Sequence, residues 1–393
     1  MLRKPDGSDQ ATAIRFAAFD RARTFIILLV LLYHSVVNYS YFGDGDRMRW
    51  LGFDLVALFT DSFFMACMYL ISGLFVWDRL TQKGSAAFLR GHAWRLGVPY
   101  LLSVFVLVPI AYYPTFLRYH WPDTTDFNFL HFWWRTLTVG PWPSGPAWFL
   151  WVLLALDVMA AAVWLVAPRT IQAFGGLIFS LRNRPMSAFA AFAMVSIAAY
   201  LPMHIAFGGD SWLELKHFPL PIQTSRILLY PAYFFTGVAV GSISLKAGIF
   251  AENCELGRCW PIWLGFALLC FSAILGLVYI QHNGLADSNS PPLWWNAGYG
   301  LAFATFSAAM TFTVFAVFQY FAEARWPLLD ALQRSSYGIY LVHYIFITWL
   351  QYLVYDASFP AVVKFAIVFF GTLAASWPLA VMLRKIPVLA RMI

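Results

Sequence analysis

The sequence predicts an all-α fold, a polytopic integral membrane protein of about ten transmembrane helices with both termini in the cytoplasm. Three observations carry that expectation. Of the 393 residues, 61% are hydrophobic and only 11% charged, against about 45–50% and about 25% in soluble globular chains; a water-soluble fold is excluded. Apolar runs of about 20 residues recur along the chain, each long enough at about 1.5 Å per residue to cross the hydrocarbon core. Lysine and arginine, finally, crowd into alternate connections between those runs.

In chain order the runs are Thr24–Tyr41, Leu55–Trp77, Leu96–Phe116, Ala147–Ala167, Ser187–Phe207, Leu228–Leu245, Trp260–Gln281, Ala297–Tyr320, Ser335–Tyr355 and Ala361–Leu383. The connections 1–23, 78–95, 168–186, 246–259, 321–334 and 384–393 hold 19 Lys and Arg, while the alternate ones hold 6. The positive-inside rule puts the first set, and both termini, in the cytoplasm. Lys364 falls inside the last run and is expected to snorkel to the outer interface. The mixed charges Arg3, Lys4, Asp6, Asp9 and Arg15, without a small-residue cleavage site after them, argue against a cleaved signal, so the first run is expected to stay as a span. Cys67, Cys254, Cys259 and Cys270 give no disulfide framework. The connections are short, so one transmembrane domain over 1–393 is expected, with no separate soluble domain. The net charge of +7 indicates topology and not nucleic acid.

Ionisable groups in spans are costly and mark candidate functional positions. Arg23 and His34 are eleven residues apart, which at about 100° per residue sets them on one helix face about 16 Å apart. Asp20 and Asn38 extend that stripe in either direction. An imidazole exchanges protons near neutral pH, which suits a general base; the alternative is that His34 only bonds a neighbouring helix while Arg23 follows the positive-inside rule. Asp61, Asp157 and His343 are further intramembrane polar groups, each also explicable by interhelical hydrogen bonding. His120, His131, His204 and His217 lack the close spacing of metal ligands, and no metal site is expected. Gly237 and Gly241 form a GxxxG pair expected to pack helices within the monomer.

The first run, FDRARTFIILLVLLYH, then resembles the opening helix of the acyltransferase-3 family of membrane acyltransferases, in which an acidic residue, an Arg, ten residues and a His follow one another; here these are Asp20, Arg23 and His34. FFMACMYLISGLF, RLGVPYLL, AWFLWVLL and SSYGIYLVH follow in the family's order. Within the family the chain looks closest to the branch that adds succinyl groups to periplasmic glucans. It departs from the family where paired arginines before the third span are here His92-Ala-Trp-Arg95, and from that branch at Asp61 and Phe64, which stand where it carries a His and an Arg. The resemblance implies a multi-pass enzyme of the bacterial inner membrane that moves an acyl group, succinyl or acetyl-like, from cytoplasmic acyl-CoA to a hydroxyl of an extracytoplasmic glycan. It implies no permanently bound cofactor and acyl-CoA as donor substrate.

With His34 as base, Arg23 is expected to steady the donor or the carbonyl, and Asp20 to orient Arg23. Arg90, His92 and Arg95 are expected to hold the polyphosphate of the donor, whereas Arg79 and Lys83 are read as topology alone. His343, Trp142, Trp148 and Asn38 are the expected substrate contacts. Trp121, Trp133, Trp134, Trp212, Trp294 and Trp295 in the outer loops suit either stacking on sugars or an interfacial aromatic belt. The partners are then acyl-CoA, a glycan and membrane lipid, without nucleic acid. A transporter or flippase of a glycan or lipid is the competing function, since it also needs intramembrane Asp and His; no inverted repeat is visible to support it.

Overall fold

The computed structural model describes residues 7–393 other than 44, 121–127, 140–141, 210, 216–217, 244–247, 249–254, 289, 391 and 393, with the backbone alone for 7–16, 120, 214–215 and 218–221. Trp121, Cys254 and His217 therefore lie outside the described residues. Among those residues, nine helical segments are long and apolar enough to cross a bilayer: Ala17–Tyr39, Leu51–Lys83, Ser85–Tyr119, Gly145–Val166, Pro185–Phe207, Thr224–Ile243, Trp260–Gly284, Leu293–Tyr320 and Ala361–Leu383. The remaining expected run is also a helix, Ser336–Leu353. Its tyrosines, His343 and Gln351 make it more polar than the rest, and it packs against the first helix, the third segment and the last. The chain is an all-α, polytopic membrane protein; among the described residues the strands Trp212–Leu215 and Phe218–Gln223 pair antiparallel as a hairpin.

Two short helices replace expected loops. Pro168–Ser180, read as a cytoplasmic connection, is a helix laid against Leu229–Ile243, and Phe129–Thr138 in the outer loop is a helix capped by the Asn128 side chain, which accepts from the Leu130 N–H at 2.9 Å. The first helix also begins earlier than its apolar run, at Gly7. Leu293–Tyr320 is the buried spine of the bundle, with Trp260–Gly284 and Ala361–Leu383 at the periphery, mostly exposed as lipid-facing spans are.

The third segment explains how prolines survive in a span. Pro99, Pro109 and Pro114 have no N–H to give the carbonyls of Arg95, Phe105 and Ile110 four residues earlier. A bare carbonyl in hydrocarbon is costly, and each of these has found a donor from another helix. Tyr337 Oη donates to Arg95 O at 2.7 Å, Trp133 Nε1 to Phe105 O at 2.7 Å and Trp349 Nε1 to Ile110 O at 3.1 Å. Two π-helical turns, Ala93–Gly97 and Ser103–Leu107, mark the same stretches.

Helices Phe64–Gly73 and Leu229–Ile243 approach through glycine, as the GxxxG pair suggested. A Cβ on Gly237 would stand 2.3 Å from Leu70 O, and one on Gly241 2.2 Å from Leu74 O; the pair thus serves packing within the monomer. Arg21 bonds Asp330 at 2.6 Å, Arg384 donates to Arg334 O at 2.7 Å, and Tyr337 reaches Arg95. These contacts gather the basic connections at one end of the bundle. Asp46, Arg118, Tyr355 and Lys364 gather at the other, where Lys364 corrects its sequence reading. It does not snorkel: it is buried, and Nζ donates to both oxygens of Asp46 at 3.0 Å and to Tyr355 O at 2.7 Å.

Candidate active site

The first helix carries its polar stripe past two cavities. At the basic end, a cavity of about 390 Å³ is lined by Asp20, Arg23, Arg79, His92, Arg95, Asp157, Gln333 and Arg334, with an apolar inner wall of Ile27, Val30, Met65, Met68, Leu153 and Tyr340. Arg23 donates to Asp20 Oδ1 at 2.9 Å, and Gln333 Nε2 donates to Asp20 Oδ2 at 3.1 Å. The Asp20 carboxylate is thus bonded on both oxygens.

On the facing wall, the hydrogen-bond chain through His92 defines its tautomer. Arg79 has only donors, so its guanidinium N–H donates a hydrogen bond to His92 Nε2 at 3.2 Å. Nδ1–H must then donate to Asp157 Oδ2 at 2.6 Å. Asp157 is fully buried and its Oδ1 has no hydrogen-bond partner. His92 therefore links a cavity-facing guanidinium to a buried carboxylate. Arg79, read from the sequence as topology alone, belongs to this cavity; Arg90 is exposed and outside it.

Further along the same helix, a second cavity of about 180 Å³ is lined by Tyr33, His34, Asp61, Phe64, Trp148, Trp212, Gln223, Arg226 and Tyr230. Val30, Met65 and Tyr340 line both cavities and form the partition between them. Tyr340 is held there by its hydroxyl, which donates to Pro146 O at 2.5 Å.

Asp61 and Arg226 are the charged groups of the second cavity. The second segment breaks at Asp61, where helix Leu51–Asp61 ends and Phe64–Gly73 begins. The carbonyl released there accepts from Arg226 Nη1 at 3.1 Å, and the same guanidinium bonds both Asp61 carboxylate oxygens and Tyr230 Oη. Arg226 was counted among outward-loop cations, yet its side chain is only 8% exposed. The signal for the pair is a lone acid and a lone base in apolar surroundings, each needing a partner. Sequence spacing cannot say that residues 165 apart meet.

The other expected residues divide. Trp148 joins His34 at the second cavity. His343 lies behind His34, with ring centroids 5.6 Å apart, and its Nδ1–H donates to Tyr340 O at 2.5 Å. It is 0% exposed, so it backs the His34 ring and does not face a ligand space. Asn38 leaves the stripe because the helix ends at Val36 and tightens to a 3-10 turn at Val37–Tyr39. Trp142 is exposed and packs edge-on against Phe105, 5.6 Å between centroids, away from both cavities. Trp295 is buried with Nε1 on Leu277 O at 2.7 Å, a helix-packing contact.

A span-borne Arg and His serving two cavities on opposite sides of a partition define a polytopic membrane protein with an intramembrane polar site. Residues 16–381, nearly the whole chain, match the sequence model of the acyltransferase-3 family, described as an acyltransferase domain. The chain belongs to that family of membrane acyltransferases. No curated protein and no solved structure matches it.

Proposed function

We propose that the protein is an O-acyltransferase that takes an acyl group from acyl-CoA on the cytoplasmic side of a bacterial inner membrane and gives it to a hydroxyl of an extracytoplasmic glycan. The observation that carries the reading is the pair of cavities on one helix, cationic at the end the positive-inside rule assigns to the cytoplasm and aromatic at the other. The transferred group in this reading is succinyl or acetyl-like, and the acceptor a periplasmic glucan.

In this reading Arg79, Arg95 and Arg23 receive the phosphates, since guanidinium groups pair with phosphate bidentately. Arg90, exposed beside that mouth, would meet only the outermost part of the donor. The pantetheine arm runs along the apolar wall toward the partition, and Val30, Met65 and Tyr340 must part for the thioester to reach His34. The eleven residues from Arg23 to His34 span about 16 Å, the separation that lets one donor engage both. His34 takes the proton from the acceptor hydroxyl as its oxygen attacks the thioester carbonyl. The C–O bond forms, the C–S bond breaks, and the CoA thiolate recovers the proton from the imidazolium. Positioned base catalysis of this kind is typically worth about 10²–10⁴-fold.

The test is incubation of purified protein in lipid with labelled succinyl-CoA or acetyl-CoA and neutral glucans. Label in the glycan, released by mild base as an ester, is the expected result. Movement of glycan or lipid across vesicles without covalent change would replace the enzyme with a carrier.

A further inference from the structure

The second cavity holds chemistry that the proton transfer leaves unused. Asp61 and Arg226 form a buried ion pair in its wall, and the two partners differ in access: the Asp61 side chain is 29% exposed and Arg226 8%. Both terminal nitrogens of the guanidinium are engaged, on the Asp61 carboxylate, the Asp61 carbonyl and Tyr230 Oη, while Nε is buried without a partner. Among the described residues that line this cavity, Arg226 is the sole Arg or Lys. What the cavity offers a ligand is therefore a hydrogen-bond-accepting carboxylate, the more exposed partner of the pair, while the terminal nitrogens of its balancing guanidinium are already bonded.

Around that carboxylate stand aromatic walls. Trp148 is stacked on Tyr230, centroids 5.8 Å apart, and Trp212 faces Gln223 across the hairpin as its register partner. Trp212 and Gln223 both line the cavity, so the hairpin contributes one flat apolar ring and one amide that can both donate and accept. Carboxylate, amide and aromatic ring are the three groups that satisfy hydroxyls in a plane and C–H faces above and below it. A phosphate or carboxylate ligand would meet the Asp61 charge without a free cation to offset it, at a cost that low-dielectric surroundings enlarge.

We infer that this cavity is the subsite for a neutral sugar ring, with Asp61 accepting its hydroxyls beside the one delivered to His34, Gln223 and Trp212 framing it from the hairpin, and Arg226 positioning Asp61. The inference rests on the acceptor side of the function proposed above and narrows it: the acylated unit is an uncharged glycosyl residue with adjacent hydroxyls. An anionic sugar or a lipid phosphate is refused.

Isothermal titration of the full-length protein in lipid nanodiscs tests this with two probes, a neutral glucose oligosaccharide and the same oligosaccharide with a terminal uronic acid. Wild type is expected to bind the neutral probe saturably and the uronate about ten-fold more weakly. Asp61→Asn should weaken the neutral probe about ten-fold and remove the discrimination, because the amide no longer repels the uronate and accepts fewer hydroxyls. Trp212→Ala and Gln223→Ala, on the hairpin and outside the ion pair, should weaken both probes about equally. Acyl-CoA binding, measured on the same preparations, reports that each variant is folded. No saturable binding to wild type, equal affinity of wild type and folded variants, or preference for the uronate each overturns the inference. Failure of thioester cleavage would sink the enzyme reading while leaving these titrations intact.

Discussion

The two cavities along the first helix share a wall yet differ in what they expose. The basic-end cavity sets Arg23, Arg79, Arg95 and Arg334 against Asp20 and Asp157: Arg23 is 43% exposed even while bonded to Asp20, and Arg95 is exposed. The second pairs Arg226, the sole Arg or Lys among its described lining residues, with a carboxylate and lines much of the remainder with rings. One helix can serve both because a rise of about 1.5 Å per residue carries the stripe from the interface, where charge is solvated, to a depth where charge must be paired. Burial decides which sign of charge a ligand meets, and composition alone does not.

The largest expected effect separates the cavities by function. His34→Gln should lower acyl transfer by about 10²–10⁴-fold while acyl-CoA binding at the basic end is unchanged; turnover retained by the purified variant would show that the second cavity does not supply the base. A stability contrast between the two ends comes next. Lys364→Met strands the buried Asp46 carboxylate, and should cost about 3–5 kcal/mol, read as a lower unfolding midpoint in detergent. Arg21→Ala breaks the pair with Asp330, whose side chain is 38% exposed, and the bond to Ala322 O, and should cost about 1–2 kcal/mol. Equal midpoints for the two variants would mean that the ends are held alike. A third effect, on binding, sharpens the division of ligands. Arg79→Ala should weaken acyl-CoA roughly ten-fold, as loss of a charge-assisted hydrogen bond does, and leave the neutral oligosaccharide unaffected. A variant that weakened both would merge the two cavities into one site.

Legibility followed the range of the interaction. Spans could be found from local apolar runs, and Arg23, Asp20 and His34 from helical periodicity, since both are short-range regularities. Ser336–Leu353 was legible as well, because a run with regular apolar residues remains a helix even when tyrosines and His343 make it polar. The amphipathic helix Pro168–Ser180 was lost among basic connections because its apolar face has meaning only against Leu229–Ile243. Lys364 was misread for a related reason. A lysine near a helix end snorkels when nothing else is near, and only the fold of residues 42–50 brings Asp46 within 3.0 Å. His92 was expected to touch phosphate as its arginine counterpart would, but its tautomer and its bond to Asp157 depend on a helix that lies 65 residues away.

By itself the sequence determined that the chain lives in a bilayer, that it is helical and polytopic, which connections are basic and that Asp20, Arg23 and His34 lie on one face. Hydrophobicity and helical pitch are properties of adjacent residues, and no partner is needed to express them. Tertiary structure alone decided that the stripe serves two separate spaces, that Arg79 joins the first, that Arg226 neutralises Asp61 in the second, and that His343 stands behind His34. Those outcomes turn on groups far apart in sequence being forced to pair, because hydrocarbon leaves an isolated charge or a bare carbonyl no water to turn to.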